Sequence, residues 1–274
     1  MPAIVVNGSS VAFTDLGCGP AAILLHSSAG SKGQWRSLTE ILSGRRRVLA
    51  PDLRGYGDSD ARPGEPDLAD EAAIVGALAA RAGGPIDLVG HSYGGAVALR
   101  FALEQPDLVR TLTLIEPVAF HLLRQDWAGR DWLLAEVQAI ASAVARDRNG
   151  KGMSRFVDYW NGPGTWAGLS EEKRSDLARL ARTVAENFAA TVAEAIPLET
   201  YRRIQVPVLL FRGANSPAPA RRIVALLGST LPNARIRTIE GAGHMLPVSH
   251  RDLVNGEILT HMTGAAAEVE LEAA

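Results

Sequence analysis

The chain has 274 residues, with 28 Lys and Arg against 30 Asp and Glu, and a formal net charge of -2. Its 47% hydrophobic and 21% charged residues are typical of a globular protein and exclude a chain that is disordered throughout. The near-neutral balance argues against a nucleic-acid partner, which would need a basic face. The short basic runs at 45–47 and 221–222 are expected to be solvated surface.

The cysteine content and the hydropathy of the chain exclude further classes of protein. Cys18 is the single cysteine, which excludes a disulfide framework and a cysteine-based zinc cluster and fits a reducing cytoplasm. Residues 1–13 lack the charged segment and the apolar core of a secretory signal. No stretch of 18 uncharged apolar residues predicts a membrane span, so we expect a cytoplasmic protein without a membrane partner.

Short apolar runs alternate with helical patterns through most of the chain. Strands are predicted at 4–6, 11–14, 21–25, 47–50, 86–89, 111–115, 208–211 and 235–239. Helices are predicted at 34–43, 68–82, 93–104, 217–230 and 249–262. This α/β alternation predicts a mostly parallel central sheet with helices on both faces. The small and acidic residues at 264–274 are expected to form a frayed tail.

The alternation stops between 118 and 200, where only helical patterns occur, at 131–146, 154–160 and 170–190. More than half of the aromatic side chains lie here: Phe120, Trp127, Trp132, Phe156, Tyr159, Trp160, Trp166 and Phe188. A helical insertion of this kind predicts a cap, 118–200, over a core formed by 1–117 and 201–263. Tyr159, Trp160 and Trp166 are predicted to bind substrate. The alternative is that these rings only pack the insertion onto its base.

The sequence GHSYG at 90–94 carries the first chemical signal. It fits the pattern G-x-S-x-G, follows a predicted strand and opens a predicted helix. Glycines on both sides of Ser92 leave room for a tight turn with a strained backbone. Ser92 then lies at the positive end of a helix, where negative charge on an attacked carbonyl is stabilised. We therefore predict that Ser92 is a nucleophile.

A serine hydroxyl is a weak nucleophile and needs a base. His244 is the predicted base, because it lies in a glycine-rich loop directly after the last predicted strand. Such a loop can carry the imidazole over the sheet edge to Ser92. His91 adjoins Ser92, but its side chain is expected to point elsewhere. His250 and His261 lie on the final predicted helix and are expected at the surface.

These motifs resemble those of the serine hydrolases with the α/β-hydrolase fold, and the resemblance covers nearly the whole chain. It is carried by 26–28 after the third strand, 51–59 after the fourth, the Ser92 motif, and Gly243 with His244. The resemblance implies an oxyanion hole formed by the backbone N–H groups of Tyr93 and Ser28. Relatives usually have glycine where this chain has Ser27, and His26 is expected to be a structural residue under this loop.

The acid that orients the base departs from the pattern of many relatives. Those relatives carry an aspartate after the seventh strand, whereas 213–217 of this chain, GANSP, contains no carboxylate. Glu116, at the end of the sixth strand, is predicted instead, since some family members, including haloalkane dehalogenases, carry their acid there. The order Ser92, Glu116, His244 keeps the serine–acid–histidine order of the family. The alternative is a buried glutamate that only caps the loop before Pro117.

Two further resemblances concern subgroups. A bacterial esterase-like subgroup is similar at 114–117 and 158–164, and epoxide hydrolases are similar at 54–59. Epoxide hydrolases attack with an aspartate, and Ser92 argues against that chemistry. Asp52 and Asp58 are therefore expected to hold the loop after the fourth strand.

The predicted activity is hydrolysis of an ester with a small or medium apolar acyl or aryl group, without a metal or an organic cofactor. Carbon–carbon bond hydrolysis of ring-cleavage diketones, lactone hydrolysis and perhydrolysis are alternatives that use the same residues. Outside enzymes, the alternative is a ligand-binding or sensing protein with slow turnover. A small-molecule substrate is the expected partner, and no oligomeric state is predicted.

Overall fold

The computed structural model describes residues 2–61, 64–65, 67–126, 130–147 and 149–272, so Trp127 lies outside the described residues. The strands are β1 (Ala3–Val6), β2 (Ser9–Leu16), β3 (Ala21–Leu25), β4 (Arg47–Pro51), β5 (Ile86–His91), β6 (Val109–Ile115), β7 (Val208–Gly213) and β8 (Ala234–Ile239). The helices are α1 (Arg36–Leu42), α2 (Leu68–Ala82), α3 (Tyr93–Glu104), α4 (Asp131–Ala145), α5 (Lys151–Asn161), α6 (Thr165–Gly168), α7 (Glu171–Arg179), α8 (Ala181–Ala193), α9 (Ala218–Thr230), α10 (Leu246–Ser249) and α11 (Arg251–Glu272). Short 3-10 helices occur at Lys32–Trp35, Pro106–Leu108, Phe120–Gln125 and Leu198–Arg203.

The eight strands form one sheet in the order β1-β2-β4-β3-β5-β6-β7-β8. Strand β2 is antiparallel to β1 and to β4, and the other neighbours run parallel. This topology confirms the predicted mostly parallel sheet. Because β3, β5, β6 and β7 are parallel neighbours, the loops at their carboxyl ends meet at one edge of the sheet.

Alternate residues of the buried strands pack on opposite faces of the sheet. Ile23 and Leu25 belong to the hydrophobic cluster that includes helices α2, α3 and α9. Ala22 and Leu24 belong to the second cluster, which includes α1 and α11. Because helices cover both faces, each central strand is a continuous apolar run rather than an alternating one.

The segment between β6 and β7 contains helices α4 to α8 and, within its described residues, no strand. We refer to residues 118–200 as the insert. Helix α4 packs against α5 and α8, while α8 contacts α3 and α4 contacts α9. The insert therefore rests on helices of the sheet-bearing part of the chain as well as on its own members.

Helix α11 differs from the sequence-based expectation in two ways. It extends to Glu272, so most of the predicted tail at 264–274 is helical, because this alanine- and glutamate-rich stretch has high intrinsic helix propensity. His261 is buried, which makes the expected surface position wrong. It lies on the same helix face as Val254 and Ile258, and that face packs toward the sheet.

The two basic runs are not simply solvated surface, contrary to expectation. Arg46 is buried and pairs with Asp87, a fully buried carboxylate of β5 that Arg110 also contacts at 2.7 Å. Arg222 contacts Asp126 at 2.6 Å, and Asp126 is also buried. A buried carboxylate needs charged or polar partners, and these arginines provide them.

Candidate active site

Ser92 lies in the turn between β5 and α3 with φ 56° and ψ -115°, a backbone conformation that few residues adopt. Two glycines make the turn possible. A Cβ atom on Gly94 would lie 2.5 Å from the carbonyl oxygens of Leu25 and His26, and one on Gly90 would lie 2.3 Å from the Gly94 oxygen. The first turn of α3 can therefore approach the end of β3 closely enough to hold Ser92 at the sheet edge.

A chain of hydrogen bonds connects Ser92, His244 and Glu116. The Ser92 Oγ lies 3.0 Å from His244 Nε2, and His244 Nδ1 lies 2.6 Å from Glu116 Oε2. All three side chains are buried, and Glu116 has no exposed surface. Because Nδ1 faces a carboxylate, it carries the ring hydrogen, which leaves Nε2 to accept the hydrogen of Ser92.

Glu116 follows β6 with a φ of 44°, and the last residue of β7 holds its carboxylate from the other side. The Gly213 N–H donates to Glu116 Oε1 at 2.6 Å, so both carboxylate oxygens are hydrogen-bonded. The Asn215 N–H donates to the Ala242 oxygen at 2.9 Å, which supports the loop that carries His244. Ser216 is buried, and its hydroxyl has no partner among the described residues. The loop after β7 thus acts on the site through its backbone.

A second polar network lies beside the backbone of His244. His91 Nε2 donates to the His244 carbonyl oxygen at 3.0 Å, and its Nδ1 accepts from Gln34 Nε2 at 3.2 Å. Gln34 Oε1 in turn accepts from the Ser27 N–H at 3.2 Å and the Ser27 hydroxyl at 3.0 Å. Burial holds the pKa of His91 well below its usual value, so the ring stays neutral. This network joins the loop after β3 to the loop that carries His244.

His26 fixes the loop after β3 on its other side. Its Nδ1 donates to the Ser27 oxygen at 2.7 Å, and its Nε2 accepts from the Leu53 N–H at 2.9 Å. Burial lowers the pKa of His26 to about 4. In the loop after β4, the Asp52 carboxylate accepts from the N–H groups of Lys32, at 2.7 Å, and Asp58, at 3.0 Å. These contacts are structural, as the sequence led us to expect for His26 and Asp52.

Ser28, Ser92 and Tyr93 line one side of a cavity of about 20 Å³, which is room for about one water molecule. Tyr93 is the first residue of α3, so its N–H lies at the positive end of that helix. The insert lines the other side with mostly apolar side chains: Val118, Phe120, Phe156, Trp160, Asn187, Phe188 and Thr191. A wider groove of about 710 Å³ shares Ser28, Ser92 and Trp160 with this cavity and also borders His244.

Trp160 is an insert residue that packs directly on the hydrogen-bonded chain. Its ring lies 4.3 Å from the His244 ring, centroid to centroid, at an interplanar angle of 42°. Tyr159 packs against Trp160 at 4.8 Å and lines a second groove of about 560 Å³ that also borders His244. Trp166 lines none of these cavities as far as the chain is described; its ring lies beside Gly150. The structure therefore does not bring Trp166 to the predicted substrate site, because α6 packs it on the insert.

The sequence-based prediction missed Asn187, which lies on α8 at the cavity. Its Oδ1 accepts from the Ser28 hydroxyl at 2.8 Å and from the Tyr56 hydroxyl. It also missed the roles of His91 and Gln34 near His244. The available signal for Asn187 was a polar residue on an otherwise apolar helix face, one position before Phe188.

Metal-binding clusters and membrane-spanning helices are absent from the described part of the chain. No group of three or more His, Cys, Asp or Glu side chains in it could hold a metal ion. None of its helices is long and apolar enough to cross a membrane.

The alpha/beta hydrolase family model matches residues 22–257. The chain belongs to the alpha/beta hydrolase family. A pimeloyl-[acyl-carrier protein] methyl ester esterase from Nitrosomonas europaea is 28% identical over 248 residues, which cover 86% of this chain and 93% of that protein. A 2-hydroxy-6-oxo-2,4-heptadienoate hydrolase from Pseudomonas putida is 33% identical over 137 residues, 47% of this chain and 49% of that protein. These findings confirm the predicted hydrolase class.

Solved structures show the same fold. A hydrolase from Pseudomonas aeruginosa PA01 matches with a TM-score of 0.78 at 24% identity, covering 95% of this chain and 97% of that one. An esterase from Exiguobacterium antarcticum matches with a TM-score of 0.76 at 19% identity, covering 94% and 97%. The expected α/β-hydrolase fold is thereby confirmed.

Proposed function

We propose that this hydrolase cleaves an ester of a small or medium acyl group through an acyl-enzyme on Ser92. The hydrogen-bonded chain of Ser92, His244 and Glu116 is the observation that carries the proposal. His244 Nε2, 3.0 Å from the Ser92 Oγ, takes the hydroxyl proton as the oxygen attacks the ester carbonyl. The Glu116 carboxylate holds the Nδ1–H and stabilises the imidazolium that forms.

The backbone N–H groups of Ser28 and Tyr93 are the proposed oxyanion hole. Both residues line the cavity at Ser92, and the positive end of α3 adds to the favourable field at that point. His244 next donates its proton to the leaving alcohol and then activates the water that hydrolyses the acyl-enzyme. The proposed steps use no metal and no organic cofactor.

We also propose that the insert, 118–200, is a cap domain that selects the acyl group. Phe156, Trp160 and Phe188 line the cavity opposite Ser92, and its narrow space favours a short acyl group. The wider groove leaves room for the alcohol part of the ester. The Nitrosomonas europaea protein, whose name specifies a methyl ester, supports the ester class.

Hydrolysis of a carbon–carbon bond in a ring-cleavage diketone is the second candidate. The Pseudomonas putida relative carries the name of such an enzyme. Its similarity covers less than half of this chain, whereas the esterase similarity covers 86%. Lactone hydrolysis and perhydrolysis would use the same three residues and belong in the same assay panel.

The test combines a covalent probe with a substrate panel. A fluorophosphonate probe should label the wild type and not Ser92→Ala. In a panel of p-nitrophenyl esters from acetate to octanoate, the wild type should hydrolyse the short acyl esters fastest. Labelling that survives the substitution would remove Ser92 as nucleophile. Turnover of a ring-cleavage diketone but of none of the esters would favour the second candidate. Turnover far below about 1 s⁻¹ on every substrate, with tight ligand binding, would indicate a sensing protein.

A further inference from the structure

Asn187 is a polar residue on the mostly apolar insert side of the cavity beside Ser92. It lies on α8, is 5% exposed, and shares the cavity wall with Phe156 and Phe188. A buried amide costs free energy unless both of its ends find hydrogen-bond partners. Each end of the Asn187 side chain therefore has to be accounted for.

The amide oxygen is fully used by the protein. Asn187 Oδ1 accepts a hydrogen bond from the Ser28 Oγ at 2.8 Å and another from the Tyr56 hydroxyl. Burial raises the pKa of Tyr56, so the phenol keeps the hydrogen that it donates. In this arrangement two hydroxyl donors occupy both lone pairs of the amide oxygen.

The amide nitrogen of Asn187 can donate a hydrogen bond to a molecule bound in the cavity. The Ser28 and Tyr56 hydrogen bonds of the Asn187 side chain both use Oδ1, and the residue borders the cavity together with Ser92 and Tyr93. Thr191, the other polar residue that the insert contributes to this wall, donates its hydroxyl hydrogen to carbonyl oxygens of its own helix. Asn187 is thus a fixed donor in an apolar wall, close to the proposed nucleophile.

We propose that the acyl group of the substrate carries an acceptor oxygen that receives a hydrogen bond from Asn187 Nδ2. This inference rests on the proposed ester hydrolysis and specifies its substrate class. The cavity of about 20 Å³ holds only the first atoms of the acyl group, so an acceptor that reaches Asn187 must lie close to the ester carbonyl. Esters of short alkoxy or oxo acids meet this requirement, whereas a plain hydrocarbon acyl group leaves a buried donor unpaired.

A pair of matched esters tests the proposal. In p-nitrophenyl methoxyacetate, an ether oxygen replaces one methylene group of p-nitrophenyl butyrate. The measured quantity is the ratio of kcat/KM for the two esters, because their intrinsic difference in reactivity cancels when enzyme variants are compared. Asn187→Asp keeps acceptor oxygens for Ser28 and Tyr56 but loses the amide donor, and Asn187→Leu removes both functions while keeping the branched skeleton of the side chain.

Both Asn187 variants should lower the methoxyacetate-to-butyrate ratio by roughly fivefold or more, as expected for one lost hydrogen bond in a desolvated site. Thr191→Val, the matched control on the same wall, should leave the ratio unchanged. An unchanged ratio in both Asn187 variants would overturn the proposal, even if the rates on both esters fall together, since equal losses show that Asn187 only positions Ser28. If the wild type hydrolyses neither ester in a Ser92-dependent way, the proposed function itself fails, and this inference with it.

Discussion

The sheet side and the insert side of the cavity hold their side chains by different means. On the sheet side, hydrogen bonds of 2.6–3.0 Å fix Ser92, His244 and Glu116, and these residues lie at the ends of β5, β8 and β6. On the insert side, ring packing holds Trp160 and Phe188, and the polar residues Asn187 and Thr191 lie among apolar side chains. Hydrogen-bonded geometry is specific, while apolar packing tolerates volume-conserving change. We infer that the sheet side determines the chemistry and the insert side determines the substrate.

The largest expected effect is a loss of the base on the sheet side. His244→Gln should lower kcat/KM by roughly 10⁴–10⁶-fold on every ester in the panel, because proton transfer from Ser92 is lost. The measurement is the hydrolysis of acetate, butyrate and octanoate p-nitrophenyl esters. His250→Gln, on the rim of the second groove, is the control and should change the rates little. A loss confined to some chain lengths would contradict the division between the two sides.

Buried histidines on both sides predict a common pH dependence of stability, to which His91 and His261 contribute in the same direction because burial also lowers their pKa. Burial lowers the pKa of His26, on the sheet side, and of His121, in the insert, from 6.5 to about 4. The unfolded chain therefore binds more protons than the folded protein between pH 6.5 and 4, and stability falls as pH falls through that range. Each histidine should account for about 3 kcal/mol, or roughly 10²-fold in the folding equilibrium.

Urea unfolding at pH values from 7 to 4 measures this dependence. His121→Gln should reduce the number of protons taken up on unfolding by about one and leave the contribution of His26 in place. The shifted carboxylates Asp15 and Asp52 titrate below their usual value of 3.8 and act at lower pH, outside this window. A free energy of unfolding that is constant from pH 6.5 to 4 would show that these histidines are accessible to water.

A pair of tryptophans in the insert gives the next test. Trp160→Leu should change the preference between acetate and octanoate esters by roughly tenfold, because it enlarges the cavity at Ser92 by removing ring atoms. Trp166→Leu, which changes the same residue type away from the cavity, should leave the chain-length profile unchanged. If both variants keep the chain-length profile of the wild type, the rings only pack the insert, and the insert side does not select the substrate.

The smallest expected effect concerns the network beside His244. His91→Phe removes the hydrogen bond to the His244 oxygen and leaves the Gln34 amide without its acceptor. We expect kcat to fall by roughly five- to tenfold on all esters, with KM nearly unchanged. His91→Gln can donate and accept at similar positions and should recover most of the activity. A change in ester preference without a change in kcat would show that His91, a sheet-side residue, affects substrate choice rather than the chemistry.

Much of the sheet side could be predicted from the sequence, because its determinants are local. Continuous apolar runs indicate strands that are covered on both faces, and the glycines around Ser92 indicate a tight turn. Glu116 was predicted from its position after the sixth strand and from the absence of a carboxylate at 213–217. The hydrogen bonds of Glu116 with His244 and Gly213 agree with that prediction.

The insert side could not be predicted to the same depth, because its contacts join distant parts of the chain. The hydrogen bond between Ser28 and Asn187 spans 159 positions, and the one between Tyr56 and Asn187 spans 131. No local pattern specifies such partners. Trp160 and Trp166 are similar in sequence context, and only the packing of α5 and α6 brings one ring to His244 and the other to Gly150.

The central claim is that Glu116 is the acid of the site. Its most direct test compares variants of residues at the ends of β6 and β7. The measurement is kcat/KM on p-nitrophenyl butyrate for Glu116→Gln beside Asn215→Ala and Ser216→Ala. Glu116→Gln keeps the shape of the side chain but loses the charge that stabilises the imidazolium, so the rate should fall by roughly 10²–10⁴-fold. The other two changes should cost roughly tenfold or less, since neither residue supplies that charge. Near-wild-type activity of Glu116→Gln, together with loss of activity in Asn215→Ala or Ser216→Ala, would contradict the account.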